Sequence, residues 1–457
     1  MRFLPPAAIA AAVLAPSLAL AQALAPSIAG DWYGTLDAGP QKLPLVFHIQ
    51  PDGSATLDSP AQMARGLPAT ATLKDGKLSF AMRGAAAGFE GALSADGQTL
   101  AGQWMQGGGS LPLSLSRTAP VVNRPQTPKP PFPYREEQLS YRNPDSGLTL
   151  AGTLSLPQGK GPFPAVVLIS GSGTQDRDET IFGHKPFLVL ADALARRGVA
   201  VLRVDDRGAG GSQTSPGSTP TLAALATDVA AGVAQLRGRP DIDPGRIGLI
   251  GHSEGGQIAP LLAAQDPRIA FLVLMAAPGV KGVDLLAAQN RALFSASGVP
   301  DDQIDILLNN RLAWWRAARD ASSETTARVE LNALLDRQGL PADSPQRPQI
   351  LALASPVWRD RLRADPAQAL AKVKVPVLAI GGGKDLQVDA KANLAAIKAA
   401  LPAGDEVTIR EMPGLNHLLQ TANTGLISEY GQIEETIAPS ALSAIVDWTV
   451  AHATKTP

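Results

Sequence analysis

Between residues 28 and 118, apolar and polar positions alternate over short stretches. Clear examples are Leu45-Val46-Phe47-His48-Ile49, Ala69-Thr70-Ala71-Thr72-Leu73, Lys77-Leu78-Ser79-Phe80-Ala81-Met82 and Leu111-Pro112-Leu113-Ser114-Leu115. A period of two places alternate side chains on opposite faces of a strand. The turn signals Pro51-Asp52-Gly53, Asp75-Gly76 and Asp96-Gly97 punctuate these runs. Short strands joined by such turns predict a small antiparallel sheet or barrel. Gly30-Asp31-Trp32-Tyr33-Gly34 and Gly102-Gln103-Trp104 loosely resemble lipocalin segments in which a tryptophan plugs a barrel end, or they simply fill a core. Pro120 to Pro133 then carries six prolines, at 120, 125, 128, 130, 131 and 133. That spacing denies the chain a helix or central strand and predicts a semi-rigid linker over 119–133.

From residue 134 the pattern changes. Ala165-Val166-Val167-Leu168-Ile169 is a continuous apolar run, as expected for a strand buried on both faces. Similar runs at Val199–Val204, Arg246–Ile250, Ile269–Met275 and Val375–Ile380, with Glu406–Ile409, alternate with helical patterns. Those helices are predicted over Pro186–Arg197, Leu222–Leu236, Gly255–Ala264 and Pro439–Ala453, and Leu148–Leu156 reads as a hairpin strand ahead of them. Strands alternating with helices predict an α/β unit over 134–457, a mainly parallel sheet with helices on both faces. Residues 280–371 leave that pattern and predict a helical insertion, with helices over Leu285–Phe294, Asp302–Arg319 and Thr325–Gln338.

The first residues add a destination. Arg2 precedes an apolar stretch, Ala7 to Leu20, and Ala19-Leu20-Ala21 and Ala21-Gln22-Ala23 are small-x-small sites. Residues 1–23 therefore read as an export signal peptide, with a periplasmic or secreted mature protein. The stretch is shorter than the roughly 20 residues a spanning helix needs, so no integral membrane segment is expected after cleavage. With 40 basic and 41 acidic residues, the chain carries no electrostatic footprint for nucleic acid. The absence of cysteine excludes disulfides, thiolate nucleophiles and cysteine metal sites.

The run Arg246–Ile250 feeds into Gly251-His252-Ser253-Glu254-Gly255-Gly256, followed by helix-forming residues. Strand, sharp turn and helix are the context in which Gly-x-Ser-x-Gly exposes a nucleophilic serine, here Ser253. A serine hydroxyl needs an adjacent base. Of the five histidines, His48 lies in the first unit, His452 on the last helix, and His184 early in the second. His252, inside the turn, cannot swing back to its neighbour's hydroxyl. His417 lies in a loop past a late strand and is the expected base. Asp385, after the glycine run that ends Val377–Gly383, is the expected acid, ahead of Asp389, which suits a helix cap. The oxyanion donors expected are the Glu254 amide and the Ser172 amide, with Gly171 as the alternative to Ser172. The Glu254 side chain should turn away into a salt bridge, with Arg207 as a candidate partner, or cap something nearby, a catalytic role being the lesser alternative. No metal or organic cofactor is required.

Ser170-Gly-Ser-Gly-Thr-Gln-Asp-Arg-Asp178, Gly183-His-Lys-Pro186, Asp205-Asp-Arg-Gly208 and Gly251-His-Ser-Glu-Gly-Gly256 together resemble a branch of bacterial α/β-hydrolase esterases. That branch is related to the dienelactone-hydrolase and serine-aminopeptidase-like groups. The resemblance covers roughly 134–457. It implies the α/β-hydrolase fold with a helical lid, small-molecule ester substrates, and Ser253, Asp385 and His417 as a catalytic triad. Asp176, Arg177, Asp178, Asp205, Asp206 and Arg207 match the motifs as an ion-pair cluster tying loops together, or as substrate contacts. Trp314, Trp315 and Trp358 of the insertion either line a substrate pocket or pack the lid. The same machinery could serve a peptidase or an acyltransferase, and a vestigial hydrolase unit beside a ligand-binding β domain would be a different class altogether.

Overall fold

The computed structural model describes residues 28–454 except 40, 63, 84–85, 121, 215–219 and 404–405. The expected signal peptide lies outside the described residues. Eight antiparallel strands form the first unit: β1 (Gly30–Ala38), β2 (Gln41–Ile49), β3 (Ser54–Ser59), β4 (Ala64–Lys74), β5 (Lys77–Met82), β6 (Ala87–Leu93), β7 (Thr99–Gln106) and β8 (Gly109–Ser116). Each pairs with the next, and β8 returns to β1 through Tyr33↔Ser116 and Gly34↔Leu115, so the sheet is a closed barrel. Closure removes the exposed edges that an open sheet of this size would present. Inward positions fill it: Phe47 packs against Phe80, Phe89 and Trp104, at ring centroids 4.4, 5.8 and 6.1 Å. Trp32 is fully buried, with the Arg117 guanidinium 4.0 Å above its ring. Four of the strands, β1, β3, β6 and β7, escape the alternation read from sequence. Glycines and small polar residues blur it in Ala87–Leu93 and Thr99–Gln106.

The second unit is an eight-stranded sheet. Its strands are β9 (Arg135–Arg142), β10 (Thr149–Leu156), β11 (Phe163–Ile169), β12 (Ala200–Val204), β13 (Ile242–His252), β14 (Ile269–Met275), β15 (Val377–Gly382) and β16 (Val407–Met412). The order is β16-β15-β14-β13-β11-β12-β10-β9. Strands β11 to β16 run parallel, and the hairpin β9–β10 joins antiparallel at one edge. The helices are α1 (Pro186–Ala195), α2 (Leu222–Arg237), α3 (Gly255–Ala263), α4 (Gly282–Ala296), α5 (Asp301–Asp320), α6 (Glu324–Arg337), α7 (Arg347–Leu351), α8 (Pro356–Arg363), α9 (Pro366–Leu370), α10 (Ala390–Ala400), α11 (Ile427–Tyr430) and α12 (Pro439–Ala453). Two apolar layers clamp the sheet. One packs α2, α3 and α10 onto Val167, Leu249, Leu272 and Ala379; the other packs α1 and α12 onto Val166, Ile250, Val273 and Leu378.

Helices α4 to α9 make the insertion, which has its own core around Trp315, Leu331, Leu335 and Leu362. Sequence periodicity finds only α4, α5 and α6, because α7, α8 and α9 are too short for a 3.6-residue period to show. Each of the short three carries a proline in its first turn, where the missing N–H costs nothing. Among the described residues, no helix is long and apolar enough to cross a membrane.

Candidate active site

Strand β13 ends at His252 and α3 begins at Gly255, so Ser253 sits on the tight turn between them. Its φ is +52°, a left-handed conformation that costs a non-glycine residue on the order of 1–3 kcal/mol. The turn is held by Ser253 N–H donating to Met275 O at 2.8 Å and Gly256 N–H donating to Ser253 O at 2.9 Å. The flanking glycines are steric necessities. A Cβ on Gly251 would lie 2.2 Å from Gly255 O, and one on Gly255 would lie 2.1 Å from Ile169 O. Six non-glycine residues have positive φ among those described, and Glu179, Phe182, Ser253, Ala276 and Leu419 all lie in loops beyond the sheet's C-terminal edge. The sixth, Asp75, is in a barrel turn. Strain is therefore gathered at this edge of the sheet, where open α/β sheets bind ligands.

His417 and Asp385 are brought together at the same edge. His417 Nδ1 donates to Asp385 Oδ2 at 2.7 Å, and both residues are buried. Asp385 Oδ1 accepts the amides of Gln387 and Val388, each at 2.8 Å, which fixes the carboxylate plane. The His417 ring rests against that of His252, the residue before Ser253, with centroids 5.0 Å apart. Asp389 caps α10 by accepting from Ala392 N–H at 2.7 Å.

The loop after β11 passes directly beside the serine. A Cβ on Gly171 would come 3.4 Å from Ser253 Cβ. The Gly171 amide is already donated to Glu179 Oε1 at 2.7 Å, while the Ser172 and Glu254 amides have no protein acceptor among the described residues. The Glu254 side chain is paired, though not with Arg207. Arg361 of α8 donates to both its oxygens, at 2.6 and 3.0 Å. Arg207 instead binds Asp228 of α2. A partner reached only through the folded insertion leaves no local spacing to read.

The motif charges form ion pairs in part. Arg177 grips Asp205 with Nε and Nη2 at 3.0 and 2.6 Å, and Asp178 pairs with Arg203 and Lys185. Asp176 accepts the amides of Asp178 and Thr180. Asp206 has no cation partner among the described residues. It accepts Ser170 Oγ–H and Gln175 N–H at 2.8 and 2.9 Å. Burial pushes its pKa up to about 7 against the lowering by those two hydrogen bonds. It thereby pins the loop that carries Gly171 and Ser172.

Trp315 is buried in the core of the insertion, and Trp314 packs at its margin, donating Nε1–H to Gln338 Oε1 at 2.7 Å. Both take part in the packing of the insertion. Trp358 is 37% exposed on α8.

Three residues at the site carry no sequence signal that singles them out. Glu179 extends the run Asp176-Arg177-Asp178 and looks like one more loop charge, yet it is 1% exposed. Arg361 is one of several arginines on α8. Arg124, in the proline-rich linker, donates to the carbonyls of Phe182, Gly431 and Ile433, each at 2.8 Å, tying the linker to the loops around His417. Among the described residues, no group of three or more His, Cys, Asp or Glu is placed to hold a metal.

Comparison with known proteins bears on the same residues. Esterase EstD of Thermotoga maritima is 30% identical over 270 residues, 59% of this chain and 58% of that protein. Esterase FrsA of Yersinia enterocolitica is 28% identical over 221 residues, 48% of each chain. The chain thus spans about half the length of these curated relatives. Among solved structures, the α/β hydrolase GrgF from Penicillium aligns over 70% of this chain and 100% of its own, at 16% identity and a TM-score of 0.44. The sequence profile described as the alpha/beta hydrolase family matches residues 166–427, which contain the elbow, the acid-bearing strand end and the His417 loop. With a sheet order, a strained serine turn and a profile match that agree over more than half of its length, this chain belongs to the alpha/beta hydrolase family.

Proposed function

We propose that this protein hydrolyses carboxylic esters through an acyl-enzyme formed on Ser253. The observation that carries the reading is the His417–Asp385 hydrogen bond at 2.7 Å, its imidazole packed against the ring of His252, which directly precedes a serine held at φ +52°. Ser253 Oγ attacks the ester carbonyl carbon while His417 takes its proton. Asp385 keeps Nδ1 protonated, so that Nε2 is the basic nitrogen, and it balances the imidazolium. The oxyanion accepts from the Glu254 and Ser172 amides. Collapse expels the alcohol, which takes the proton from His417. Water, deprotonated by the same histidine, then releases the acid and regenerates Ser253.

The carboxylates around the serine favour esters over peptides with a free amino terminus. Glu254 is held by Arg361, Glu179 by Gly171 and His252, and Asp385 by His417. Each of these three is already engaged within the protein. The names of EstD and FrsA agree with an esterase. The leader further suggests that the enzyme works outside the cytoplasm, which N-terminal sequencing of the exported protein would check. Ser253→Ala should abolish p-nitrophenyl acetate turnover and fluorophosphonate labelling. Turnover unchanged in that variant would refute the mechanism.

A further inference from the structure

Behind Ser253 lies a second histidine–carboxylate pair that the mechanism does not use. His252 and Glu179 are 4% and 1% exposed. Glu179 Oε1 accepts two hydrogen bonds, from the Gly171 amide at 2.7 Å and from His252 Nδ1 at 2.9 Å. On the other side of the ring, His252 Nε2 donates to the His417 carbonyl oxygen at 3.1 Å. A carbonyl oxygen and a carboxylate are both acceptors, so this geometry makes the ring a double donor, an imidazolium paired with Glu179. Burial, the largest single influence, opposes that charge; the charge and hydrogen bond of Glu179, with the His417 carbonyl and the Asp385 charge, together outweigh it and raise the His252 pKa.

The pair is an expensive one. Glu179 has φ +51°, and its Oε2 is buried without a hydrogen-bond partner. A purely structural ion pair could sit anywhere in the core. This one joins the three loops that the reaction needs in register: the elbow through His252 itself, the oxyanion loop through Gly171, and the base through the His417 carbonyl. Gly171 N–H is already donated to Glu179, which leaves the next amide, Ser172, as that loop's donor.

We propose that His252 and Glu179 are positioning residues for ester hydrolysis, a shared clamp that aligns the Ser172 amide and the His417 ring with Ser253. The inference rests on the triad reading above. Glu179→Gln keeps size and one acceptor but cannot hold the imidazolium, and His252→Gln keeps at most one of the ring's two donated bonds.

Loss of one oxyanion donor costs about 100–1,000-fold in kcat elsewhere, so a donor merely displaced should cost about 10–100-fold. In both variants kcat for p-nitrophenyl acetate should fall by that factor with KM within about twofold of wild type. Affinity for a phenylboronic acid, whose adduct places an oxygen in the oxyanion hole, should fall in step. The double variant should lose no more than the worse single one. Should Glu179→Gln fail to fold, His252→Gln reads the same quantities. Folded variants with wild-type kcat and boronate affinity, or fully additive losses, would overturn the clamp. An NMR arm separates this from a failure of the triad reading. In the Ser253→Ala background, His252 should carry protons on both nitrogens, and Glu179→Gln should move the Ser172 amide and His417 ring signals. Unmoved signals would reject the clamp whether or not the protein cleaves esters.

Discussion

Arg361 and Glu254 join the helical insertion to the residue that follows the serine. The guanidinium donates at 2.6 and 3.0 Å to the two carboxylate oxygens, and Arg361 keeps 26% of its side chain exposed. The pair anchors α8 over the elbow and neutralises a carboxylate beside the amide assigned to the oxyanion. Arg361→Met removes the cation and leaves the Glu254 carboxyl buried without its partner, beside the amide proposed to hold the oxyanion. Unfolding should become easier by about 1–3 kcal/mol, below the full cost of breaking a wholly buried pair because Arg361 is partly wet. kcat should fall about tenfold or more, since an unpaired anion opposes the transition state. Adding Glu254→Gln should restore much of the loss, measured by ester kinetics and urea titration. A double variant no better than Arg361→Met would reduce the pair to a fastener.

Asp385→Asn has a more specific consequence than loss of charge. The Gln387 and Val388 amides both point at Oδ1, so an asparagine must place its carbonyl oxygen there. Its NH2 then faces His417 Nδ1, which must accept, and the proton moves to Nε2. A histidine protonated at Nε2 cannot take the serine proton. kcat should drop by about 10,000-fold at neutral pH, the size of effect seen when a triad acid is replaced in this way, with the fold retained. Circular dichroism together with p-nitrophenyl acetate kinetics tests both halves of the expectation.

Much of this arrangement is legible in the sequence, and the illegible parts share a cause. Ser253 can be read because strand, turn and helix are contiguous, and the glycines needed for steric reasons flank it. Asp385 and His417 can be read because Asp385 follows a recognisable buried strand and His417 a half-exposed edge strand, in the expected chain order. His252 also stands out as a histidine, but what it touches is fixed by Glu179 and the His417 carbonyl, from loops brought together only by the sheet. The Arg361 partnership fails in the same way: the two residues are 107 positions apart, and several nearer arginines compete on paper. In the barrel, strands rich in alternating apolar residues show themselves, whereas β6 and β7 owe their state to their neighbours in the closed sheet.

The glycine at the start of α3 should be irreplaceable. A Cβ on Gly255 meets Ile169 O at 2.1 Å and Ser170 O at 2.7 Å, both backbone atoms of the strand end that leads into the loop of Gly171 and Ser172. Neither can move without displacing Gly171. Gly255→Ala should destabilise the fold by about 1–3 kcal/mol or more through overpacking, and it should cost activity beyond that through the displaced loop. Thermal melts and kcat at a temperature where the variant remains folded separate the two effects. A variant with wild-type kcat would show that the loop tolerates the shift.

Acid should loosen the loops around His417 through His184. This histidine is fully buried, with Nε2 2.9 Å from Tyr430 O and from Gln420 Nε2, and Nδ1 3.2 Å from Thr436 Oγ1. Burial lowers its pKa from 6.5 to about 4, the Tyr430 hydrogen bond opposing and the Arg124 charge assisting. Between those two values the unfolded chain binds a proton that the folded protein refuses. Stability therefore rises with pH across this window, and it is lost as pH falls from about 6.5 toward 4. Asp206, whose pKa is raised to about 7 from 3.8, acts with the opposite sign over an overlapping range, so the wild-type profile alone does not isolate His184. The difference between wild type and His184→Gln does, because Asp206 is common to both. Urea midpoints at pH 7.5 and 4.5 should show His184→Gln less stable at the higher pH, where a buried imidazole and its hydrogen bonds are lost. The gap should narrow at the lower pH, where the wild type alone carries the penalty of an uncharged buried histidine. Parallel profiles for the two proteins would mean that His184 is protonated alike in the folded and unfolded states.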